Sequence, residues 1–197
     1  KIDLNGKWEF RLDPEARGDA AGWQSGRQRF TDSIQVPGAW QAQGFGKRAG
    51  VIRNDYSGQA WYRRDIAVPS NWKGRAVSLR VGGVLRRATV FVNGNNAGQH
   101  DGFSTPFTLN VTKHIRPGAT NTIVFLVVNP ANPIEDSPDK QKATEPTGMI
   151  NYIGNWGGIY GNVELEASSP ARIDEVAIVP DIHKQQARFQ LTIHSDE

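Results

Sequence analysis

ATVFVNGNNAGQH, residues 88–100, decides the fold class. Ala88, Val90 and Val92 fall on one side of an extended segment and Thr89 and Phe91 on the other, the period-2 alternation of a sheet strand. Asn93-Gly94 follows, a pair that tolerates the positive φ of a tight two-residue turn. The chain then returns over 96–100. A lone hairpin is marginal in water, so this one needs more strands beside it.

Both flanks supply them. Residues 7–12 put Trp8, Phe10 and Leu12 on one face. Residues 33–36 form a short extended piece closed by Pro37-Gly38, and 59–68 a strand that stops at Pro69. Val77, Leu79 and Val81 alternate over 76–81, and 106–111 and 122–128 follow, separated by a turn at Pro117-Gly118. No stretch has the 3.6-residue period and caps of an amphipathic helix. Short strands with recurring turn residues spell an all-β sandwich or barrel. Trp8, Trp61, Trp72, Phe91, Phe107 and Phe125 are its expected large core fillers.

Three regions stand apart. Residues 39–58 are long, glycine-rich and irregular. Residues 130–150 are rich in proline and charge, and a connection of that length is expected to be functional or disordered. It leads into GNWGGIYGNVEL, 154–165, where four glycines crowd around Asn155, Trp156, Ile159 and Tyr160 before Val163, Glu164 and Leu165 alternate as a strand. Glycine permits positive φ and close backbone approach, so this is a tight structural corner or the rim of a site. After the linker Ser168-Ser169-Pro170, residues 172–180 and 186–194 read as two further strands. They carry Ile173, Val176, Ile178, Phe189, Leu191 and Ile193. The expected organisation is one sandwich domain over 1–168 and, over 169–197, a linker and the first strands of a second β-domain cut short.

Composition narrows the function. The chain has 197 residues, 38% hydrophobic and 22% charged. No run approaches the ~18 apolar residues of a membrane helix, so no membrane partner is expected. The net charge is +3. Arg63-Arg64 and Arg86-Arg87 are interspersed with acids, which reads as a mixed solvated surface and not a nucleic-acid patch. Cysteine is absent, which removes disulfides, thiolate metal sites and a Cys nucleophile. The opening Lys1-Ile2-Asp3 reads as a processed N-terminus.

No catalytic constellation emerges. The 20 acidic residues include Asp55, Asp101 and Asp139 in loop-like positions, but nothing pairs two carboxylates as glycoside hydrolysis would need. His100, His114, His183 and His194 lack metal-ligand spacing. Phosphate-binding loops and a nucleophile elbow are missing. No cofactor, no metal and no catalytic residue is therefore expected. One recipe is present. Sugar rings have apolar faces and hydroxyls that pair with planar polar side chains. Asn54 and Tyr56 in one stretch, and Asn151, Tyr152, Asn155 and Trp156 in another, offer that combination. Tyr56 and Trp156 can equally serve as core plugs, with the asparagines forming turns.

VPGAW at 36–40, YSGQAWYRRDIAVPSNWKG at 56–74, VFVNGNNAGQHDGFSTPFTLNVT at 90–112, GATNTIVFLVVN at 118–129 and GGIYGNVEL at 157–165 follow one another. Their order and spacing resemble the N-terminal domain of glycoside hydrolase family two, the β-galactosidase and β-glucuronidase family. The resemblance covers about 4–167 and implies a jelly-roll β-sandwich of the galactose-binding-domain-like kind, called the sugar-binding domain. It implies that 169–197 begin an immunoglobulin-like β-sandwich. It places the two catalytic glutamates on a later (β/α)₈ barrel, for which ~250 residues are typical.

The chain is then expected to be inactive alone. It would pack on the catalytic barrel of the same parent chain, help form the carbohydrate pocket and sit in a periplasmic or secreted glycosidase. In the family an acid commonly stands six positions before the glycine of the Gly-Ile step, and a basic residue two positions after that isoleucine. Here those positions hold Tyr152 and Gly161, so the resemblance does not carry a plain β-galactosidase or β-glucuronidase specificity. A free-standing carbohydrate-binding module and a purely structural β-domain are the alternatives.

Overall fold

The computed structural model describes residues 1–49, 53–103, 105–129 and 156–195. In chain order the strands are β1 (Ile2–Asp3), β2 (Gly6–Asp13), β3 (Asp32–Val36), β4 (Gly38–Ala39), β5 (Lys47–Ala49), β6 (Arg53–Asp55), β7 (Gly58–Ala67) and β8 (Ala76–Val81). They continue as β9 (Val84–Val92), β10 (Asn95–Phe103), β11 (Phe107–Asn110), β12 (Thr120–Asn129), β13 (Gly158–Ile159), β14 (Val163–Ser168), β15 (Ala171–Asp181) and β16 (Gln186–Ser195). Short 3₁₀ turns at Trp23–Ser25, Gln41–Gln43 and Ser70–Trp72 are the only helical elements among the described residues.

Two sheets face each other as a jelly-roll β-sandwich. One runs β1-β14-β8-β11. The other runs β3-β2-β7-β12-β9-β13-β4, with β10 also on β9. The β9–β10 hairpin forms at the expected turn: Asn93 has φ 51° and Gly94 φ 84°, the two left-handed residues of a type I′ turn. Asn93 pays no penalty in hydrogen bonding there. Its Nδ2 donates to His114 O and to Asn121 Oδ1, both at 2.7 Å, and its Oδ1 accepts from Thr122 N.

The expected core fillers are divided between two cores. Trp8, Trp72 and Phe125 lie between the sheets, where Trp8 meets Phe125 edge to face at 5.6 Å. Trp61 and Phe91 lie on the outer face of the larger sheet with Phe30, Val124 and Leu126. Parity dictates this, because neighbours along a strand point oppositely: Ala60 and Tyr62 enter the inner core while Trp61 does not. Alternation identifies the face, but only the fold reveals that the segment after β2 covers it. Asp13 holds that cover in place by accepting Trp61 Nε1–H at 3.0 Å and the Gly18 and Arg17 amides at 2.8 and 2.9 Å. Phe107 is half-buried at the sandwich margin and stacks on His100 at 4.4 Å.

Buried Arg63 sits on the same outer face. Its guanidinium donates to Gly26 O, Glu9 Oε1 and both Asp65 oxygens. Burial alone would push the Asp65 carboxyl up. Hydrogen bonds from Thr122 and Arg63, with the charges of Arg63 and Arg29, outweigh it and hold the carboxyl below its ordinary range. A carboxylate depressed on folding contributes stability that is present above its unfolded value, ~3.9, and is lost as pH falls through the folded one. Urea midpoints followed from pH 6 down to pH 3 are therefore expected to fall more steeply for the native chain than for Asp65→Asn. Parallel curves would disprove the coupling.

Among the described residues, β15 and β16 pair only with each other. Ile173, Val176 and Ile178 stand opposite Ile193, Leu191 and Phe189, and all six are about half or more exposed.

Candidate functional site

One end of the sandwich collects the start of β7, the end of β12 and the starts of β9 and β14, as the register pairs Gly58↔Asn129, Gly158↔Leu85 and Val163↔Val81 show. Tyr56 and Trp156, one from each stretch with sugar-site composition, come to this end. Of the residues in those stretches, Tyr56 and Trp156 lie among those whose side chains are described. Asn54 is on β6, paired with Arg48 on β5. Asn151, Tyr152 and Asn155 lie outside the described residues, as does the 130–150 loop.

Tyr56 is half-buried against the inner core and meets Trp40 edge to face at 5.6 Å. Its hydroxyl donates to Gln59 O at 2.6 Å. Desolvation pushes the phenol up to about 12, so at neutral pH it is a neutral donor already committed to the backbone. Trp156 is half-buried where the described chain resumes. The corner after it is as tight as its glycines suggest. A Cβ at Gly157 would stand 1.8 Å from Trp40 Cζ2, and one at Gly161 2.2 Å from the carbonyl carbon of Gly82. Tyr160 N and Gly161 N both donate to Gly83 O, and Gly82 N to Asn162 O, which locks the corner to the β8–β9 turn.

Two further residues organise this end. Trp40 is fully buried and its amide donates to Gly157 O at 3.0 Å. Gln41, at 5% exposure, accepts from Gly157 N at 3.0 Å and donates from Nε2 to Tyr56 O at 3.2 Å. Gln43 stitches the same turn to Gln35 N, Gln35 O and Ala39 O. The WQAQG run after Pro37-Gly38 was the available signal: an amide beside a buried aromatic at a turn has backbone groups to satisfy.

Among the described residues no group of three or more acidic or histidine side chains gathers as a metal site. Asp101 is taken up by Arg87, at 2.8 and 2.6 Å to Nε and Nη2. The described end thus presents two half-buried aromatic side chains, Tyr56 and Trp156, on segments fixed through their backbone.

Residues 2–168 match the family model described as glycosyl hydrolases family 2, sugar binding domain. A β-glucuronidase of Paenibacillus borealis is 29% identical over 189 residues, which cover 91% of this chain and 31% of that protein. A β-galactosidase of Thermoanaerobacter pseudethanolicus is 32% identical over 127 residues, 64% of this chain and 16% of that protein. Among solved structures, a Ruminococcus gnavus β-glucuronidase in complex with D-glucuronic acid shares the fold with a TM-score of 0.78 at 23% identity, over 99% of this chain and 34% of that one. The chain spans no more than about a third of these relatives.

Proposed function

Because this chain belongs to glycosyl hydrolase family 2, whose sugar-binding domain it carries, we propose that it is the non-catalytic domain of a longer glycosidase that forms one wall of the carbohydrate pocket. The observation that carries this reading is that Tyr56 and the Trp156-Gly157 step meet at one end of the sandwich, fastened there by Trp40 and Gln41. Asn54, Asn151, Tyr152 and Asn155 would supply the hydrogen bonds to sugar hydroxyls. A catalytic (β/α)₈ barrel of the same parent chain would pack against this end and bring both carboxylates. The domain's contribution would be orientation of the substrate, which can be worth orders of magnitude in rate without proton transfer. The exposed apolar face of β15 and β16 fits the first strands of an immunoglobulin-like domain, completed in the parent by strands that cover Ile178, Phe189 and Leu191.

The test compares the 197-residue chain with its full-length parent on a panel of aryl β-glycosides. The parent is expected to hydrolyse at least one, and the isolated chain none. Trp156→Ala in the parent is expected to lower kcat/KM at least tenfold while the melting temperature of the domain barely moves. A stability loss of about 3–5 kcal/mol with unchanged kinetics would instead make Trp156 a core residue. Glycan binding by a parent without hydrolysis would favour a binding module.

A further inference from the structure

We infer that Gln41 is a positioning residue that locks the Tyr56 backbone and the Trp156-Gly157 step to each other, so that this part of the proposed pocket wall moves as one unit. The inference rests on the proposed pocket for its functional meaning but on hydrogen-bond geometry for its substance. Gln41 begins the 3₁₀ turn Gln41–Gln43, far in sequence from residue 157. Its single side-chain amide reaches in two directions. Oε1 accepts from Gly157 N, the first amide after Trp156, and Nε2 donates to Tyr56 O, two residues after Asn54. The Gly157 contact is buried and the Tyr56 contact half-buried, so losing the first leaves a backbone amide without water to fall back on.

A second observation runs in parallel. Trp40 packs one side of its indole on Gly157, at a distance that leaves no room for a Cβ, and sets its ring edge-on to Tyr56. Consecutive residues of one turn therefore grip the same two targets, Gln41 through polar contacts and Trp40 through packing. Gln43 holds the turn to β3 and β4. A turn anchored to the larger sheet and bonded to both stretches gives them a common rigid support, the arrangement that keeps a binding geometry within tolerance.

The experiment uses Gln41→Met and Gln41→Glu in the full-length parent. Met keeps length and removes both hydrogen bonds. Glu keeps an acceptor for Gly157 N–H and loses the donor to Tyr56 O. Amide hydrogen exchange is read by peptide across the domain, and steady-state kinetics on the best aryl glycoside. Gln41→Met is expected to speed exchange in peptides covering 53–57 and 156–158 by about tenfold or more while β7 and β12 stay protected. Gln41→Glu is expected to speed it at 53–57 and to spare Gly157. Catalytic efficiency is expected to fall in the same order, Met below Glu below native, by roughly ten- to a hundredfold for Met, the scale of a misplaced binding group.

Unchanged exchange at both stretches in Gln41→Met overturns the inference. So does a uniform rise across β7 and β12, which would make Gln41 merely a core group. If the parent hydrolyses no glycoside, the proposed function fails, and the exchange pattern still decides whether Gln41 couples the stretches.

Discussion

Gly161→Ala is expected to cost the domain about 3 kcal/mol or more, or to prevent folding, the upper end of what a clash in a packed site produces. The added Cβ would lie 2.2 Å from Gly82 C, 2.3 Å from Gly82 Cα and 2.4 Å from Gly83 N. All three are backbone atoms, so no rotamer change relieves the overlap. They are also tethered, because Gly82 N donates to Asn162 O at 2.8 Å and Gly161 N to Gly83 O at 3.1 Å. Gly22→Ala is the control. It has φ 73° but nothing within 4 Å of its added Cβ, so only the left-handed backbone is penalised, by about 1 kcal/mol. Urea melts of the two variants measure the difference. A cost for Gly161→Ala no greater than that of Gly22→Ala would mean that β13 and β14 do not turn against the β8–β9 connection as described.

Trp40→Ala is expected to lose about 3–5 kcal/mol, the range for deleting a large aromatic from a core. Trp40 is fully buried, bonds Gly157 O through its own amide and lies edge to face with Tyr56. The indole Nε1 finds no hydrogen-bond partner among the described residues, so Trp40→Phe removes no bond and leaves a smaller void. Phe is expected to recover more than half of the loss. Equal losses for Ala and Phe in chemical melts would show that the indole nitrogen is bonded and that packing is not the whole of its role.

The strands were legible because their side chains alternate and their ends are marked. Asn93-Gly94 announced its turn, Pro69 the end of β7, and 76–81 coincides with β8. The fold class followed from the same features, and the family from the order of five motifs. The candidate site was legible only in part. Trp156 and Tyr56 were chosen by residue type, and type says nothing of direction: the Tyr56 hydroxyl turns inward to Gln59 O. Gln41 escaped notice because a single glutamine in an irregular stretch has no periodicity. Its importance comes from partners 15 and 116 residues away.

By itself the sequence determined what local physics controls. Alternation set which residues share a strand face, Asn and Gly set where the chain reverses, and glycines at 157, 158 and 161 marked a tight corner or the rim of a site. Tertiary structure decided what that corner is tight against. The position two residues after Ile159, where the family resemblance implies a basic residue, holds Gly161 because the β8–β9 backbone passes within van der Waals reach. Tertiary structure also placed Trp61 and Phe91 in an outer core and Trp8 and Phe125 in the inner one, although all four look alike in the chain. The reason is common to both cases. Periodicity is a property of neighbours along the chain, whereas close packing joins atoms whose separation in sequence carries no pattern.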